Sequence, residues 1–273
     1  MKKVILITGA SSGMGKDTAL DLIKLGHTVY GAARRVEKMD DLLKAGGQAI
    51  KLDVTDQSSI ENCVKQIVKD QGKIDVLWNN AGYAEYGSVE DIPLDVARRQ
   101  FEVNIFGLAA LTKEVLPVMR NQKAGLIINT SSMGGKIYTP MGSWYHATKH
   151  ALEGWSDCLR IETKQFGIKV VILEPGAIKT EFGEVMMAPL MERSKNSPYE
   201  PMAKALEKSM LDMEKKPDSF SPGSLISKTI QKIIRANNPK TRYVAGKMAK
   251  PMIFMRKWGG DRLFDKVVMQ MVK

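Results

Sequence analysis

Short, continuously apolar runs alternate with helix-like segments along most of this chain of 273 residues. Such runs are typical of strands buried on both faces of a parallel sheet, and helical segments between them are typical of crossover connections. The strand-like runs lie at residues 4–7, 28–33, 48–52, 74–78, 125–129 and 168–173. The alternation predicts an α/β fold, a doubly wound, Rossmann-like parallel sheet with helices on both faces.

Apolar residues with helical spacing define the predicted helices between these strands. The helices lie at residues 14–25, 37–44, 58–68, 94–119 and 143–166. Asp56 is the predicted N-cap of the helix at 58–68, because an Asp side chain accepts hydrogen bonds from first-turn N–H groups. Ligands of such folds bind at the carboxyl ends of the strands, so we expect the residues of a functional site at those positions.

Composition limits the classes of partner and site. The chain has 41 Lys and Arg residues against 30 Asp and Glu, a net charge of +11. The cations are scattered and form no aromatic-basic platform, so we expect no nucleic-acid partner. Cys63 and Cys158 lack metal-ligand spacing, so we expect no disulfide framework, no metal site and a reducing compartment. Lys2 and Lys3 lead straight into the first strand and no long apolar run follows, so we expect a cytoplasmic protein without a signal peptide.

The first strand-like run ends in a glycine-rich turn, Thr8-Gly-Ala-Ser-Ser-Gly-Met-Gly15. Glycines permit a tight turn and a close backbone approach to a pyrophosphate, and the following helix N-terminus faces the negative charge. The T-G-x-x-x-G-x-G spacing differs from the G-x-G-x-x-G fingerprint of ordinary dinucleotide domains. Between a strand and a helix, this turn predicts a cofactor site.

Tyr145 and Lys149 lie four residues apart in a predicted helix and therefore share one helical face. A phenol has a pKa of about 10, and a nearby ammonium lowers that pKa by stabilising the phenolate. The pair is a candidate acid/base for chemistry near neutral pH. Spacing alone also fits a packed tyrosine beside a surface lysine.

Several motifs, taken in order along the chain, resemble those of the short-chain dehydrogenase/reductase family. They are Thr8-Gly-x-x-x-Gly-x-Gly15, Asp53, Asn79-Asn-Ala-Gly82, Asn104, Ser132, Tyr145-x-x-x-Lys149, and Pro175-Gly176 with Thr180. The resemblance covers roughly residues 3 to 180, and the overall pattern is similar to retinol and 17β-hydroxysteroid dehydrogenase-like members. It implies a nicotinamide oxidoreductase forming a single domain over residues 1–273, with about seven strands and the seventh at 241–245.

The resemblance also implies roles for four catalytic residues. Tyr145 is the proton donor in carbonyl reduction, and Lys149 lowers the pKa of Tyr145 and binds the nicotinamide ribose. Ser132 donates a hydrogen bond to the substrate oxygen, with Ser131 as the alternative, and Asn104 holds a water of the proton relay. The implied cofactor-binding set comprises Gly9, Ser11, Ser12, Gly13, Met14, Gly15, Arg34, Arg35, Asp53, Val54, Asn80, Ala81, Gly82, Tyr145, Lys149, Pro175, Gly176, Ile178 and Thr180.

The end of the second strand distinguishes the two nicotinamide cofactors. A site that prefers NAD needs an acidic residue there for the adenosine ribose. Ala33 occupies that position, and Arg34 and Arg35 follow it. Because guanidinium groups suit phosphate binding, the sequence predicts NADP(H) as the preferred cofactor and NAD(H) as the less favoured one.

The sequence indicates the substrate less clearly than it indicates the cofactor. Met133, Met141 and Trp144 are candidate substrate contacts, and residues 181–220 form a long, methionine-rich segment that suits a substrate lid. Helices are predicted there at 184–190 and 202–213, with a break at 196–198. The family branch implies a lipophilic carbonyl or alcohol substrate. Alternatives are a 3-oxoacyl-carrier-protein-type ketoreductase and a non-catalytic NADP-binding regulatory protein.

The C-terminal extension, residues 247–273, mixes bulky apolar residues with cations and contains a predicted helix at 261–272. Packing on the protein's own domain or on another subunit is the favoured interpretation, and peripheral membrane contact is the alternative. The resemblance implies a homodimer or homotetramer, with the helices at 94–119 and 143–166 as the subunit surface.

Overall fold

The computed structural model describes residues 1–272, and it contains a seven-stranded sheet whose paired strands are all parallel. The strands are β1 (Val4–Thr8), β2 (Thr28–Ala33), β3 (Gln48–Lys51), β4 (Val76–Asn79), β5 (Gly125–Thr130), β6 (Ile168–Pro175) and β7 (Arg242–Ala245). Their order across the sheet is β3-β2-β1-β4-β5-β6-β7. The predicted doubly wound sheet is therefore confirmed.

Helices cover both faces of this sheet. They are α1 (Gly13–Lys24), α2 (Asp40–Lys44), α3 (Gln57–Gln71), α4 (Leu94–Phe101), α5 (Leu108–Asn121), α6 (Ser143–Thr163), α7 (Phe182–Ser194), α8 (Glu200–Lys215), α9 (Ser224–Arg235) and α10 (Ala249–Val268). Buried residues of α3, α5 and α6 form one core with the sheet, and buried residues of α1, α2 and α9 form the other.

The continuous apolar runs follow from this double burial. On β1, Leu6 belongs to the α3–α5–α6 core, whereas Ile5 and Ile7 belong to the α1–α2–α9 core. On β5, Ile127 and Ile128 divide in the same way. Since successive strand side chains point to opposite faces, a strand covered on both sides needs apolar residues at every position.

Several helices differ from the sequence prediction. The segment predicted as one helix at 94–119 contains a π-helical turn, Glu102–Gly107, between α4 and α5. The residues predicted as a helix at 37–44 form a 3₁₀ turn, Val36–Met39, followed by the short α2. The predicted cap is confirmed, because the Asp56 side chain accepts hydrogen bonds from the backbone N–H groups of Ser58 and Ser59.

Two helical segments of the C-terminal third were missed. Sequence analysis assigned no helix to α9, although Ile226, Ile230 and Ile233 recur at helical spacing and are fully buried. The last helix, α10, begins at Ala249 rather than at 261, and Gly260 interrupts it with a φ of 72°. The helical spacing of apolar residues is hard to recognise in α10, because only Ala249 and Met252 are buried before Gly260 and only Phe264 and Val268 after it.

Side chains of β5 are buried between the sheet and the helices on both of its faces, and this burial stabilises the fold. We predict that Ile127→Ala, at a fully buried position of β5, lowers the free energy of unfolding by about 2–5 kcal/mol, because it leaves a cavity between sheet and helices. The matched Ile161→Ala removes the same atoms from a side chain on α6 that is 67% exposed, and should change stability by less than about 0.5 kcal/mol. Urea unfolding followed by circular dichroism measures both, and equal losses would contradict this account of the core.

Candidate active site

The strands β1 to β3 are added towards one edge of the sheet, and the strands β4 to β7 are added towards the other edge. The carboxyl ends of β1 and β4, where the order changes direction, therefore border a crevice. Thr8, the last residue of β1, holds that crevice together. Its hydroxyl accepts hydrogen bonds from the backbone N–H groups of Asn80 and Ala81 at 3.0 and 2.9 Å. Its carbonyl accepts one from the Asn80 side chain at 3.0 Å. The turns after β1 and β4 are therefore fixed against each other.

The glycine-rich turn has the shape that a pyrophosphate requires. Gly9 and Gly13 adopt positive φ angles of 69° and 51°. A Cβ at Gly15 would lie 2.5 Å from the Gly9 carbonyl oxygen, so only glycine lets α1 start this close to the turn. Ser12 makes no side-chain capping bond at the start of α1. The first N–H groups of the helix are thus left for an anionic ligand, and the residues present fit a dinucleotide.

A first cleft of about 460 Å³ extends from this turn to the ends of β2 and β3. The predicted cofactor residues that line it are Gly9, Ser11, Ser12, Gly13, Met14, Arg34, Arg35, Asp53, Val54, Asn80, Ala81, Gly82 and Thr180. Gly15 does not line it, because it is buried behind the turn. A second cavity, of about 1000 Å³, is lined by the rest of the set, Tyr145, Lys149, Pro175, Gly176 and Ile178. Both share Asn80, Gly82 and Thr180, so they meet at the β4 turn.

Positive charge gathers at the far end of the first cleft. Arg34 and Arg35 follow Ala33 at the end of β2, and Arg99 reaches the same cleft from α4. Burial alone would raise the pKa of Asp53, but hydrogen bonds from Thr55 and the charges of Arg34 and Arg99 hold it below its usual value. Sequence analysis missed Arg99, whose place in a long helix gave no sign of its proximity to β2.

Asn104 lies in the π-helical turn between α4 and α5, a distortion that is frequent at functional sites. Its Oδ1 accepts a hydrogen bond from Tyr83 N–H at 3.1 Å, and its Nδ2 donates to the Tyr83 carbonyl at 2.9 Å and to the Thr148 hydroxyl at 3.2 Å. A Cβ at Gly82 would lie 3.1 Å from Asn104 Oδ1 and 3.7 Å from Lys149 Nζ. Asn104 and Lys149 therefore flank one glycine at the bottom of the crevice.

Ser132 and Tyr145 face each other in the second cavity. The Ser132 hydroxyl accepts a hydrogen bond from Gly134 N–H at 3.0 Å, which directs its own proton elsewhere. Burial raises the pKa of Tyr145 strongly, and a hydrogen bond with Ser132 opposes the rise. Ser131, the sequence alternative, has a buried hydroxyl with no hydrogen-bond partner among the described residues. Ser132, rather than Ser131, therefore contacts the phenol.

Burial is the main influence on the pKa values of Tyr145 and Lys149, and the predicted lowering of the Tyr145 pKa by Lys149 stays a prediction. Lys149 Nζ donates to the Thr130 carbonyl at 2.9 Å and lies 5.9 Å from the centre of the Tyr145 ring. Both side chains are buried, and burial disfavours the charged form of each. Burial consequently lowers the pKa of Lys149 to about 8, with Glu153 opposing the fall, while the pKa of Tyr145 rises.

The second cavity is largely apolar and methionine-rich. Met133, a predicted substrate contact, lines it together with Met14, Met186, Met210, Met213 and Met271. The other two predicted contacts do not line it. Met141 packs with Leu190 and the other apolar side chains of α7 and α8, and Trp144 stacks edge-on against Phe101. Met141 precedes α6 and Trp144 lies in its first turn, and both side chains pack against neighbouring elements instead of the cavity.

His146 is a residue that sequence analysis missed. Its Nε2 accepts a hydrogen bond from Thr139 N–H at 3.0 Å, so the ring proton is on Nδ1, which donates to the Gly134 carbonyl at 2.9 Å. These two bonds hold both ends of the loop that follows Ser132. The signal available in the sequence was that His146 is adjacent to Tyr145. The hydrogen-bond partners of His146, Gly134 and Thr139, lie in a loop that has no recognisable sequence pattern.

Comparison with known proteins assigns the fold and site to one family. The short chain dehydrogenase family model matches residues 3–189. An oxidoreductase of Botryotinia fuckeliana, BOA17, is 36% identical over 251 residues, which are 90% of this chain and 89% of that protein. The 3-ketodihydrosphingosine reductase of Bacteroides thetaiotaomicron is 34% identical over 264 residues, 96% of this chain and 95% of that one.

A solved structure shows the same fold over nearly the whole chain. The short-chain dehydrogenase from Streptomyces avermitilis superposes with a TM-score of 0.79 at 31% identity, covering 99% of this chain and 96% of that one. The order of motifs, the seven-stranded sheet and these matches agree, and the chain belongs to the short-chain dehydrogenase family of oxidoreductases that act on CH–OH groups.

Proposed function

We propose that this protein is an NADP(H)-dependent oxidoreductase that interconverts a lipophilic ketone or aldehyde and its alcohol, with Tyr145 as the acid/base. The observation that carries the proposal is the buried Tyr145 side chain, which lines, together with Ser132, a cavity that joins the glycine-rich cleft. A phenol placed there can exchange its proton with a substrate bound in the cavity.

The bound nicotinamide supplies or accepts the hydride of this reaction. In reduction, Tyr145 donates its proton to the substrate oxygen, and Ser132 donates a hydrogen bond to the same oxygen as negative charge develops on it. The Lys149 ammonium stabilises the phenolate that remains. Asn104, fixed by Tyr83 and Thr148, completes the polar wall behind Lys149. In oxidation Tyr145 takes the alcohol proton instead.

Preference for NADP(H) is supported by the charges at the end of β2. Ala33 offers no carboxylate to a ribose hydroxyl, while Arg34 and Arg35 are exposed in the cleft and available to a 2′-phosphate. Arg99 adds a third guanidinium to the same cleft. A phosphate dianion there would gain charge-assisted hydrogen bonds that a free hydroxyl does not offer.

A lipophilic substrate is supported by the size and lining of the second cavity. Side chains from α7, α8 and the following loop form one wall, including Phe182, Met186, Met210 and Phe220. Methionine adapts to varied shapes, which suits flexible or irregular apolar substrates. Because this wall belongs to the segment 181–220, we propose that it acts as the substrate lid.

Assembly as a homodimer or homotetramer and a cytoplasmic location complete the proposal. Phe106, Leu94 and Ile161 are exposed apolar side chains on the helical segments that form the proposed subunit surface.

Cys63 and Cys158 are free thiols, which suits a reducing compartment. Among the described residues no helix is both long and apolar enough to cross a bilayer.

Removing the Tyr145 hydroxyl tests the acid/base directly. We predict that Tyr145→Phe lowers kcat for aldehyde or ketone reduction with NADPH by about 10²–10⁴-fold, because the proton donor is lost. Binding of NADPH, followed by fluorescence titration, should change by less than about threefold. Tyr86→Phe, whose ring lies 5.9 Å from that of Tyr145, is the control and should keep most activity. Equal turnover by wild type and Tyr145→Phe on every substrate would favour the regulatory-protein alternative.

Arginine substitutions test the cofactor preference. We predict that Arg34→Ala together with Arg35→Ala lowers kcat/KM for NADPH by about 10–150-fold, the loss expected for hydrogen bonds to a charged group. The value for NADH should change little. Arg98→Ala, an exposed arginine of α4 that does not line the cleft, is the matched control. A wild-type kcat/KM that favours NADH would contradict the proposal.

The pH profile tests the charge on Lys149. Since the pKa of Lys149 is lowered to about 8, its ammonium is lost as pH rises through that value, and kcat/KM for reduction should fall above about pH 8. Glu153 supports the ammonium, so Glu153→Gln should move this fall to lower pH by about one unit. Glu162→Gln, on the exposed face of α6, should leave the profile unchanged. A shift to higher pH in Glu153→Gln would refute this electrostatic role.

A further inference from the structure

The helix α10 has one face on the protein and another that no residue of the described chain, 1–272, covers. Met252, Phe264 and Val268 are buried against Ile137, so the favoured sequence interpretation of packing on the chain's own domain holds for that face. On the other face Phe254 is 67% exposed and Trp258 is 69% exposed, four residues apart and thus one turn apart. Aromatic side chains this exposed are unusual on a face that meets only water.

Cations outnumber carboxylates in the segment that carries these aromatic side chains. Residues 247–272 contain six positively charged and two negatively charged side chains. The positive ones are Lys247, Lys250, Arg256, Lys257, Arg262 and Lys266, and the negative ones are Asp261 and Asp265. Lys257 Nζ lies 5.0 Å from the centre of the Trp258 ring. Arg256 is paired with Asp261 at 2.6 Å and Lys247 with Asp218 at 3.9 Å, and the other four cations form no ion pair among the described residues.

We propose that the exposed face of α10 docks on an anionic phospholipid surface. Exposed aromatics enter the interface between headgroups and acyl chains, while lysine and arginine contact the anionic headgroups. A second copy of the chain fits less well, because a two-fold interface would place this cationic face against itself. Leu263, which follows the kink at Gly260, is also half exposed.

The C-terminal segment that carries the proposed docking face also lies next to the second cavity. Ile137, which packs against α10, lines the second cavity, and Met271 after α10 lines it too. Docking would therefore hold the cavity near a bilayer in which a lipophilic substrate is concentrated; this consequence alone rests on the proposed function. The docking itself is tested without any substrate.

Co-sedimentation of the full chain with vesicles tests the proposal. Phosphatidylcholine vesicles that contain about one third phosphatidylglycerol should bind the protein, and vesicles of phosphatidylcholine alone should bind it at least about tenfold more weakly. Phe254→Ser with Trp258→Ser should lower the partition coefficient at least about tenfold, and so should Lys250→Gln with Lys257→Gln. The matched controls, Leu43→Ser for the apolar pair and Lys65→Gln with Lys69→Gln for the charges, lie at exposed positions outside α10 and should bind like wild type.

Three outcomes would overturn the proposal. One is wild-type protein that stays in the supernatant with anionic vesicles at low salt. Another is equal loss of binding in the α10 variants and in their controls, which would indicate only a general effect of charge. The third is an aromatic double variant that binds vesicles normally but has a lower mass in size-exclusion chromatography with light scattering, which would assign the face to a second copy. Turnover of a water-soluble ketone in the same variants reports separately on the proposed function.

Discussion

A buried chain of hydrogen bonds between the last residues of β4 and β5 fixes the centre of this molecule. Asn79 Nδ2 donates to Asn129 Oδ1 at 2.9 Å and to the Thr112 hydroxyl of α5 at 3.0 Å. Asn129 Nδ2 donates to the Ser156 hydroxyl of α6 at 2.9 Å. A buried polar group without its partner costs about 1–3 kcal/mol, so these amides favour one placement of both helices on the sheet. Because α6 carries Tyr145 and Lys149, this chain of bonds also places the proposed catalytic pair.

Burial then determines the electrostatics of the pair. Burial favours the neutral forms of both Tyr145 and Lys149. Lys149 Nζ donates a hydrogen bond to the Thr130 carbonyl, and the charge of Glu153, one turn further along α6, opposes the fall in the pKa of Lys149. Ser132, held by Gly134, opposes the rise in the pKa of the phenol. The electrostatics of the pair therefore depend on groups that belong to α6, to the end of β5 and to the loop after β5.

The sequence predicted the sheet and the strand-end residues well, because both depend on local patterns. Doubly buried strands require unbroken apolar runs, and the turn at Gly9, Gly13 and Gly15 requires glycine for geometric reasons visible in the motif. Properties that depend on distant contacts were not predictable. The direction of the Lys149 side chain depends on Thr130, and the exclusion of Met141 and Trp144 from the cavity depends on packing against α7 and Phe101. Arg99 and His146 act through partners in other segments, so spacing along the chain did not reveal them.

Transfer of deuterium from NADPH to product tests the central claim most directly. NADPH that carries deuterium at both nicotinamide C4 positions, incubated with the enzyme and a panel of apolar aldehydes and ketones, should yield an alcohol that carries the label on its carbinol carbon, as mass spectrometry would detect. The label should be absent when Tyr145 is replaced by phenylalanine, although the cofactor still binds. Unlabelled alcohol, or equal labelling by the wild-type and phenylalanine proteins, would contradict a hydride-transfer site that depends on the phenol of Tyr145.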